Sequence, residues 1–496
     1  MEIELKLALQ PRHSSRMQHH PMLSKIAPQQ RRLYSTYFDT PKFDLMQCGI
    51  ALRVRQVDDQ WIQTLKAETQ SVGALTNRPE WEVSVTDGTH PDFSALPQEA
   101  LDLLNGIKLK RIIPVFITEF QRITWQIINN QAHAEVALDR GKIHAGEANQ
   151  PICEVEIELK SGTPEFLFDL AAQLLQQVPL HIEPRSKAER GYILCGAVKP
   201  APVKSTHAPI DKHQTSADAS NAILQAALVQ FVANVPGFLE HAHETEYLHQ
   251  LRVALRRLRT GVLLAKSLGR PLPDWDQELR ELMHVLNPAR DWDVFQEQIL
   301  PKMLTRLSWP SENMSAENNV ANLITNTATH ARQRAQSWLR KPALTQLILD
   351  VGRSLLATPA DRHEGDVKAW AGIILEKRWQ QLHKRCHGFA KLNPAERHLA
   401  RIAAKKMRYA AEAFLPLYGK HTEHFITVLA TLQDKLGYEN DLRIGIKLLR
   451  AIPKQSTALS FELGRICGAL QLEAAQSAHL SATIWQEVDE SKLFWR

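Results

Sequence analysis

The sequence has no pattern that would place it in a membrane or outside the cell. None of its segments approaches the roughly 18 consecutive apolar residues of a membrane-spanning helix, and the start Met1-Glu2-Ile3-Glu4 lacks both the basic residues and the apolar run of a secretory signal. The five cysteines form no CxxC pair, so neither a disulfide framework nor a thiolate zinc site is indicated. We therefore expect a soluble protein of the cytoplasm that does not enter a membrane.

Several nucleotide-binding and zinc signatures are also missing. The chain contains no GxxxxGKS/T motif, no GxGxxG after a strand and no HExxH, so the P-loop, Rossmann and zincin classes lack their signatures. Aromatic residues make up only 7% of the chain and do not interleave with its basic stripes. Base stacking therefore has no support, and nucleic acid is not an expected partner.

Composition and charge bound what remains. With 44% hydrophobic and 23% charged residues, the 496-residue chain is ordinary globular protein and long enough for more than one core. Residues 1–200 contain 22 basic and 24 acidic residues, whereas the remainder contains 38 basic and 30 acidic ones. Attraction for polyanions is thus concentrated in the second part of the chain.

The pattern of the chain changes once. Residues 199–219 contain three prolines and many small polar residues without apolar periodicity, which predicts a linker. Short segments of alternating polarity before it favour strands, and long segments of 3.6-residue period after it favour helices. We predict an α+β chain with a β-rich domain at residues 1–198 and an all-α domain at residues 220–496.

Charged residues alternate with apolar ones along the predicted strands. In a strand, Glu2, Glu4 and Lys6 lie on one face and Ile3 and Leu5 on the other. The alternation returns in Arg53 and Arg55, in Glu80 and Glu82, in Glu135 and Asp139, and in Glu154, Glu156 and Glu158. If the sheet closes into a barrel, these residues give it a charged interior.

A charged interior of this kind needs a charged ligand. Clustered carboxylates suit a hard cation such as Mg²⁺ or Mn²⁺, which can neutralise a phosphoryl group and activate water. An opposite wall of cations can hold phosphate oxygens, and its candidates are Arg53, Arg55, Lys66, Arg122 and Lys187. The predicted chemistry is phosphoryl transfer to water.

The helical part contains an internal duplication. His249, Arg252, Arg256, Arg257 and Arg259 recur 149 residues later as His398, Arg401, Lys405, Lys406 and Arg408. Positions 249, 252, 256 and 259 form one helical stripe, and a leucine stripe lies beside it. We predict two related halves, at about residues 220–310 and 320–496, whose basic helices face a common groove suited to a long anion.

The first 200 residues resemble the CYTH domain of the triphosphate tunnel metalloenzymes, and the helical part resembles the CHAD domain. The first resemblance rests on several ordered motifs, and the second on the duplicated His and Arg helix. The motifs are Glu2-Ile3-Glu4-Leu5-Lys6, Ala51-Leu52-Arg53-Val54-Arg55, Thr64-Leu65-Lys66, Phe120-Gln121-Arg122, Ala137-Leu138-Asp139, Glu154-Val155-Glu156-Ile157-Glu158 and Arg185-Ser186-Lys187.

The order of the two domains is similar to that of bacterial inorganic triphosphatases. It implies an antiparallel eight-stranded tunnel, two divalent ions (Mg²⁺ or Mn²⁺), and hydrolysis of tripolyphosphate to pyrophosphate and phosphate. The CHAD resemblance implies long-chain polyphosphate as a second partner, bound by the ten duplicated His, Arg and Lys residues.

The resemblance also implies roles for individual residues. Lys6, Arg53, Arg55 and Lys66 form the catalytic set, with Arg78 and Arg111 as additional basic candidates. The metal ligands would be Glu2, Glu4, Asp139, Glu154, Glu156 and Glu158. The substrate phosphates would be bound by Lys6, Arg53, Arg55, Lys66, Arg122 and Lys187.

Two alternatives stay open. The tunnel could act on an organic triphosphate such as thiamine triphosphate, although the absence of an extension before Met1 speaks against a class IV adenylate cyclase. The protein could also bind polyphosphate without catalysis, but simple anion binding would favour fewer carboxylates. The sequence leaves the oligomeric state undetermined.

Overall fold

The protein divides into two compact units. The computed structural model describes residues 2–67, 71–72, 75–307, 314–356, 365–453, 457–477 and 480–496. One unit comprises Met1–Pro202 together with Arg340–Thr358, and the other comprises Val203–Leu339 together with Pro359–Arg496. The first unit is mainly sheet and the second is helical, which confirms the predicted fold class.

The first unit is built around one antiparallel sheet. Its strands within the described ranges are β1 Glu2–Leu9, β2 Gln29–Asp39, β3 Ile50–Val57, β4 Gln60–Ala67, β5 Ser71–Val72, β6 Leu75–Arg78, β7 Glu80–Val85, β8 Ile113–Ile128, β9 His133–Ala145, β10 Ala148–Ser161 and β11 Leu180–Ile182. They are hydrogen-bonded in the order β5-β6-β1-β10-β9-β8-β2-β3-β4-β7, and β11 also pairs with β1.

The two ends of this strand order are joined through Pro79. Strand β6 pairs with β1, whereas β7, which follows after Pro79, pairs with β4. Proline has no N–H to donate to a ladder, so it suits the point at which a strand changes partner. The sheet therefore curls until β1 and β4 approach each other, and Lys66 of β4 donates a hydrogen bond to Glu2 of β1 at 2.6 Å.

The strand count agrees with the predicted tunnel. Strands β5 and β11 have only two and three residues, and β6 and β7 act as one strand interrupted by Pro79. The remaining long strands of the described chain number eight when counted in this way.

The α-helices of the described ranges are given in chain order, and five short 3₁₀ helices also occur in these ranges. The α-helices are α1 Ser14–Gln18, α2 Asp44–Gln47, α3 Gln98–Leu103, α4 Glu165–Leu175, α5 Lys187–Leu194, α6 Ser216–Glu240, α7 Thr245–Ser267, α8 Asp276–Val294, α9 Leu300–Leu307, α10 Met314–Leu339, α11 Pro342–Leu356, α12 Val367–Cys386, α13 Pro394–Tyr418, α14 Glu423–Ala451, α15 Thr457–Ser477 and α16 Leu480–Asp489. A π-helical turn, Phe295–Ile299, joins α8 to α9, and the 3₁₀ helices span Pro11–His13, Phe93–Ala95, Leu109–Arg111, Phe389–Lys391 and Gly419–Thr422.

Helix α11 lies in the sheet unit although its sequence falls within the predicted all-α domain. It packs on α4, and Leu349 belongs to the core beneath the sheet. Gly352 allows close contact, because a Cβ atom there would lie 2.5 Å from the ring of Phe168. Thr345 donates its hydroxyl hydrogen to the Leu180 carbonyl of β11 at 2.8 Å. The compact units therefore differ from the predicted bounds of residues 1–198 and 220–496 in this segment.

The second unit repeats a three-helix pattern. Helices α6, α7 and α8 correspond to α12, α13 and α14, so the second copy starts at Val367 rather than near residue 320. Thr215 and Asp366 cap the first helix of each copy, and the two residues also form a β-bridge with each other. The leucine stripe of α7 is fully buried, as the sequence predicted.

The segment predicted as a linker is packed rather than free. Asn234 of α6 accepts a hydrogen bond from the Val203 amide and donates one to the Val203 carbonyl, each at 2.9 Å. Ala208 and Ile210 are buried in the core of the helical unit. Helix α6 itself begins at Ser216, within the predicted linker.

One described helix, α6, is long and apolar enough by length and composition to span a membrane. Inside the protein, however, 67% of its most apolar window is buried. Its sequence is equally that of a core helix, and it packs on α7.

Gly141 tests the pairing of β9 with β8. A Cβ atom at this position would lie 2.1 Å from the Glu119 carbonyl oxygen and 2.4 Å from Phe120 Cα. We expect Gly141→Ala to push β8 and β9 apart and to lower the free energy of unfolding by about 1–3 kcal/mol. The matched control is Gly464→Ala in α15, where the added atom meets nothing within 4 Å. Urea denaturation of both variants should show the control unchanged or up to about 1 kcal/mol more stable, and equal losses would contradict this account.

Candidate functional site

The inside of the curled sheet contains a cavity of about 400 Å³. Charged side chains from six strands and from α5 line it. Those predicted from the sequence that reach it are Glu2, Glu4, Lys6, Arg53, Arg55, Lys66, Arg122, Glu156 and Lys187. The two-residue period of the strands therefore brings acidic and basic groups into one enclosed space, as predicted.

The first strand presents its two glutamates to cations at the joined ends of the sheet. Arg78 Nε lies 3.2 Å from Glu2 Oε2 and its Nη2 lies 2.5 Å from Glu4 Oε1, so one guanidinium bridges both carboxylates. Lys66 contacts Glu2 at 2.6 Å and Glu80 at 3.0 Å. The additional candidate Arg78 thus lines the cavity. The other one, Arg111, is exposed on a 3₁₀ helix and is not among the residues that line it.

Three further carboxylates lie close together on the neighbouring strands β9 and β10. Asp139, Glu154 and Glu156 each offer an oxygen within 4.8 Å of the others. The carboxylates are already paired with cations: Lys187 contacts all three, and Arg122 contacts Asp139 at 2.7 Å and also Glu156. Asp139 and Glu154 are fully buried behind the lining, whereas Glu156 reaches the cavity.

These ion pairs shift the pKa values of the buried groups. Burial alone would raise the pKa of Asp139, but Arg122 and Lys187 hold it below its usual value. Burial would lower the pKa of Lys187, yet Asp139, Glu154 and Glu156 raise it above its usual range. Both partners therefore stay charged at neutral pH.

Glu158 has a different environment from the other predicted metal ligands. It is half-buried and pairs with Lys160 at 2.6 Å, outside the cavity lining. Burial raises its pKa, and the nearby charges of Glu2 and Glu135 act in the same direction. Of the predicted metal ligands, Glu158 is the one whose cation partner, Lys160, is the most exposed to solvent.

Arg55 is the cation of the cavity that has no ion pair among the described residues. Its Nε donates to Ser35 Oγ at 2.9 Å. Burial together with the positive charges of Arg53 and Arg122 lowers the pKa of Arg55 to about 9. Arg55 is therefore positively charged at neutral pH, and its guanidinium can donate hydrogen bonds to an anion.

Two residues at or behind the cavity were not predicted from the sequence. Arg190 is buried and pairs with Glu154, and it follows Lys187 by three positions on α5, a spacing that could have revealed it. Tyr37 lines the cavity and stacks on Phe116 at 4.5 Å. It is the register partner of Arg53, so pairing β2 with β3 would have been needed to find it.

In the helical unit, the duplicated residues divide into two sets. One set lies where α7 and α13 face each other and consists of His249, Arg252, Arg256, Arg401 and Lys405, together with Arg290, Asp291 and Asp441; we call it the central cluster. Burial and the charges of Arg401 and Arg256 lower the pKa of Lys405 to about 7. Burial and Arg290 lower the pKa of His249 to about 4, so this imidazole is neutral.

The other duplicated residues contact protein groups outside this cluster. Arg257 donates to Gln230 Oε1 at 2.8 Å and to the Thr206 carbonyl at 2.6 Å. Arg259 lies 3.8 Å from Asp276, Arg408 lies 3.2 Å from Glu412, and His398 donates to Asn440 at 3.1 Å. Lys406 has Arg259 and Arg378 as charged neighbours. The basic residues of α7 therefore contact groups on more than one side of the helix.

A curled antiparallel sheet with a charged interior and a duplicated helical domain with a basic cluster define the class of this protein. Residues 1–192 match the CYTH domain and residues 222–450 match the CHAD domain. The chain therefore carries a CYTH domain followed by a CHAD domain.

Two similar proteins support these assignments. The chain is 36% identical over 194 residues to the inorganic triphosphatase of Haemophilus influenzae; the match covers 39% of this chain and 54%, about half, of that relative. The helical part is similar to the crystal structure of the CHAD domain from the plant Ricinus communis, at 28% identity and a TM-score of 0.53. That likeness covers 59% of this chain and 98% of the plant domain.

Arg190 tests the buried network behind the cavity. We expect Arg190→Met to lower the free energy of unfolding by about 3–5 kcal/mol, because Glu154 would lose one of its two cations inside the protein. Chemical denaturation measures the loss, and Arg111→Met, at an exposed position, is the matched control. The control should change stability by less than about 0.5 kcal/mol. Similar denaturation curves for the two variants would contradict a structural role for Arg190.

Proposed function

We propose that this protein hydrolyses inorganic tripolyphosphate to pyrophosphate and phosphate in the CYTH cavity, with a divalent metal ion, and that its CHAD domain binds long-chain polyphosphate in the cytoplasm. The observation that carries the first part is a cavity of about 400 Å³ whose lining contains both carboxylates and a larger number of cations. The 36% identity over 194 residues to an inorganic triphosphatase supports it.

The cationic wall suits a short chain of phosphates. Lys6, Arg53, Arg55, Lys66, Arg122 and Lys187 all reach the cavity. Guanidinium groups can bind phosphate oxygens with two parallel hydrogen bonds, and Arg55 has no carboxylate to compete for it among the described residues. In this proposal Arg55 binds substrate phosphate directly, and the ion-paired cations exchange part of their carboxylate contact for phosphate oxygens.

The carboxylates of the cavity fit a hard divalent cation. Glu2, Glu4 and Glu156 line it, and Glu158 lies nearby with a raised pKa. Carboxylate oxygens are the ligands that Mg²⁺ and Mn²⁺ prefer, and such an ion would neutralise phosphoryl charge and make water a nucleophile near neutral pH. Asp139 and Glu154 are paired with Arg122, Lys187 and Arg190. In this proposal they form ion pairs with these side chains and do not bind the metal ion.

The central cluster supports the polyphosphate part of the proposal. Burial and the positive charge of Arg256 lower the pKa values of Arg252, Arg401 and Lys405, so the positive charges of the cluster repel one another. Asp291 and Asp441 offset only part of this charge. A linear anion with closely spaced charges would relieve the repulsion.

The tunnel assignment predicts the effect of Glu4→Gln. This change keeps the size of the side chain but removes one of the negative charges that line the cavity. We expect metal-dependent phosphate release from tripolyphosphate to fall by at least roughly 100-fold, since even an outer partner of a metal site is worth about 10–100-fold. Glu119→Gln is the control, because Glu119 pairs with exposed Arg32 outside the cavity.

A substrate panel completes this experiment. Tripolyphosphate, thiamine triphosphate, ATP, pyrophosphate and long-chain polyphosphate are offered with and without Mg²⁺ or Mn²⁺. Full activity of Glu4→Gln would refute the role of that carboxylate. If an organic triphosphate is hydrolysed preferentially, that compound rather than tripolyphosphate is the substrate. If no compound is hydrolysed, the protein is a binding protein rather than an enzyme.

Lys405 predicts a pH dependence of polyphosphate binding. Its pKa of about 7 means that Lys405 loses its charge as the pH rises from about 6 to 8. The charged groups that act on it are Arg252, Arg256, Arg401 and Asp441. We expect affinity for long-chain polyphosphate to weaken several-fold over the range, measured by calorimetry at constant salt. Lys405→Arg should abolish most of the change, and an unaltered pH profile in this variant would contradict the assignment.

A further inference from the structure

The ring of Phe120 lies beneath three cations of the cavity. Lys187 Nζ is 4.9 Å from the ring centroid, and the guanidinium carbons of Arg122 and Arg55 are 5.7 and 5.8 Å from it. Phe120 lies on β8 and is 2% exposed, so the contacts form away from bulk water. An aromatic face attracts cations, and the attraction is strongest where both groups are desolvated.

The three cations differ in what else holds them. Arg122 and Lys187 also pair with carboxylates, as described above. Arg55 donates a hydrogen bond to Ser35 Oγ and is repelled by Arg53 and Arg122. The Ser35 hydroxyl and the Phe120 ring are thus close attractive contacts of its guanidinium, and the charge of Asp139 adds electrostatic attraction.

A ring can hold a cation without cancelling its charge. A carboxylate in the place of Phe120 would neutralise Arg55 and compete with an incoming phosphate for its N–H groups. The aromatic face offsets part of the desolvation and repulsion of the cation and accepts none of its conventional hydrogen bonds. The full positive charge and the donors of Arg55 therefore stay available to the cavity.

The local structure gives the ring this place. Phe120 is the register partner of Gly141 on β9, where a side chain would collide with Phe120 Cα and Cβ. The absence of a Cβ atom at position 141 lets β8 and the base of Phe120 lie close against β9. Two positions further along β8, Arg122 lies on the same face of the strand.

We propose that Phe120 is a positioning residue for tripolyphosphate binding, which holds Arg55, Arg122 and Lys187 toward the substrate phosphates through its aromatic face. This inference rests on the proposed function of the tunnel, because it takes those cations as the phosphate-binding groups. It assigns to an uncharged side chain a share of the affinity for a highly charged substrate.

Fluorinated phenylalanines test the proposal without changing the fold. Replacing Phe120 by its 4-fluoro, 3,5-difluoro and 3,4,5-trifluoro analogues weakens the negative potential of the ring face in steps and changes its shape little. We expect the dissociation constant of tripolyphosphate, measured by calorimetry with the full-length protein in the absence of metal, to rise step by step to about tenfold. A constant that is independent of fluorination would overturn the proposal, because a purely structural ring would give that result.

A double-mutant cycle identifies the cation through which the ring acts. Phe120→Leu should weaken tripolyphosphate binding in the wild-type background and have a clearly smaller effect in the Arg55→Met background. Phe38→Leu, at a buried position in a different core cluster, is the matched control for loss of an aromatic side chain. Equal effects of Phe120→Leu in both backgrounds, or an equal effect of the control, would contradict positioning of Arg55.

Hydrolysis is assayed separately, so the two ideas can fail independently. A protein that binds tripolyphosphate with the predicted fluorination trend but releases no phosphate would refute the hydrolase and keep the role of Phe120. A protein that hydrolyses tripolyphosphate with no fluorination trend would do the reverse. Absence of tripolyphosphate binding in the wild-type protein would overturn the role of Phe120 as well.

Discussion

The structure of the sheet unit depends on compensating charges that have been removed from water. A buried carboxylate or guanidinium is costly unless it is paired, and the inside of the curled sheet contains many of both. Lys187 illustrates the solution, because it contacts Asp139, Glu154 and Glu156 at once. Arg190 then supplies a second cation to Glu154 from the same face of α5. The network explains how so polar an interior can be closed.

We expect ligand binding where the charge of a side chain inside the protein is only partly balanced by opposite charges. Arg55 in the cavity and Lys405 in the central cluster are both buried cations crowded by other cations, and the pKa of each is lowered for that reason, to about 9 and about 7. Both positions would gain from an anion with closely spaced charges. The same physical condition thus recurs in two unrelated folds of one chain.

Much of the site could be predicted from strand and helix periodicity alone. Alternation placed Glu2, Glu4 and Lys6 on one face, and the 149-residue repeat related Arg256 to Lys405 before any helix was seen. Periodicity could not show which partner each charge has. It treated Asp139 as equivalent to Glu2, although Asp139 is fully buried between cations, and it did not separate Arg257, which binds the segment predicted as a linker, from the central cluster.

The sequence by itself determined the element types, the faces of strands and helices, and the internal duplication, because these follow from local spacing of apolar and charged residues. Only the tertiary structure decided where the sheet closes, since the change of partner at Pro79 depends on strands far apart in the chain. It also placed α11 against α4 and brought Phe120 beneath three cations from three elements. Such contacts depend on long-range register and packing, which no local pattern encodes.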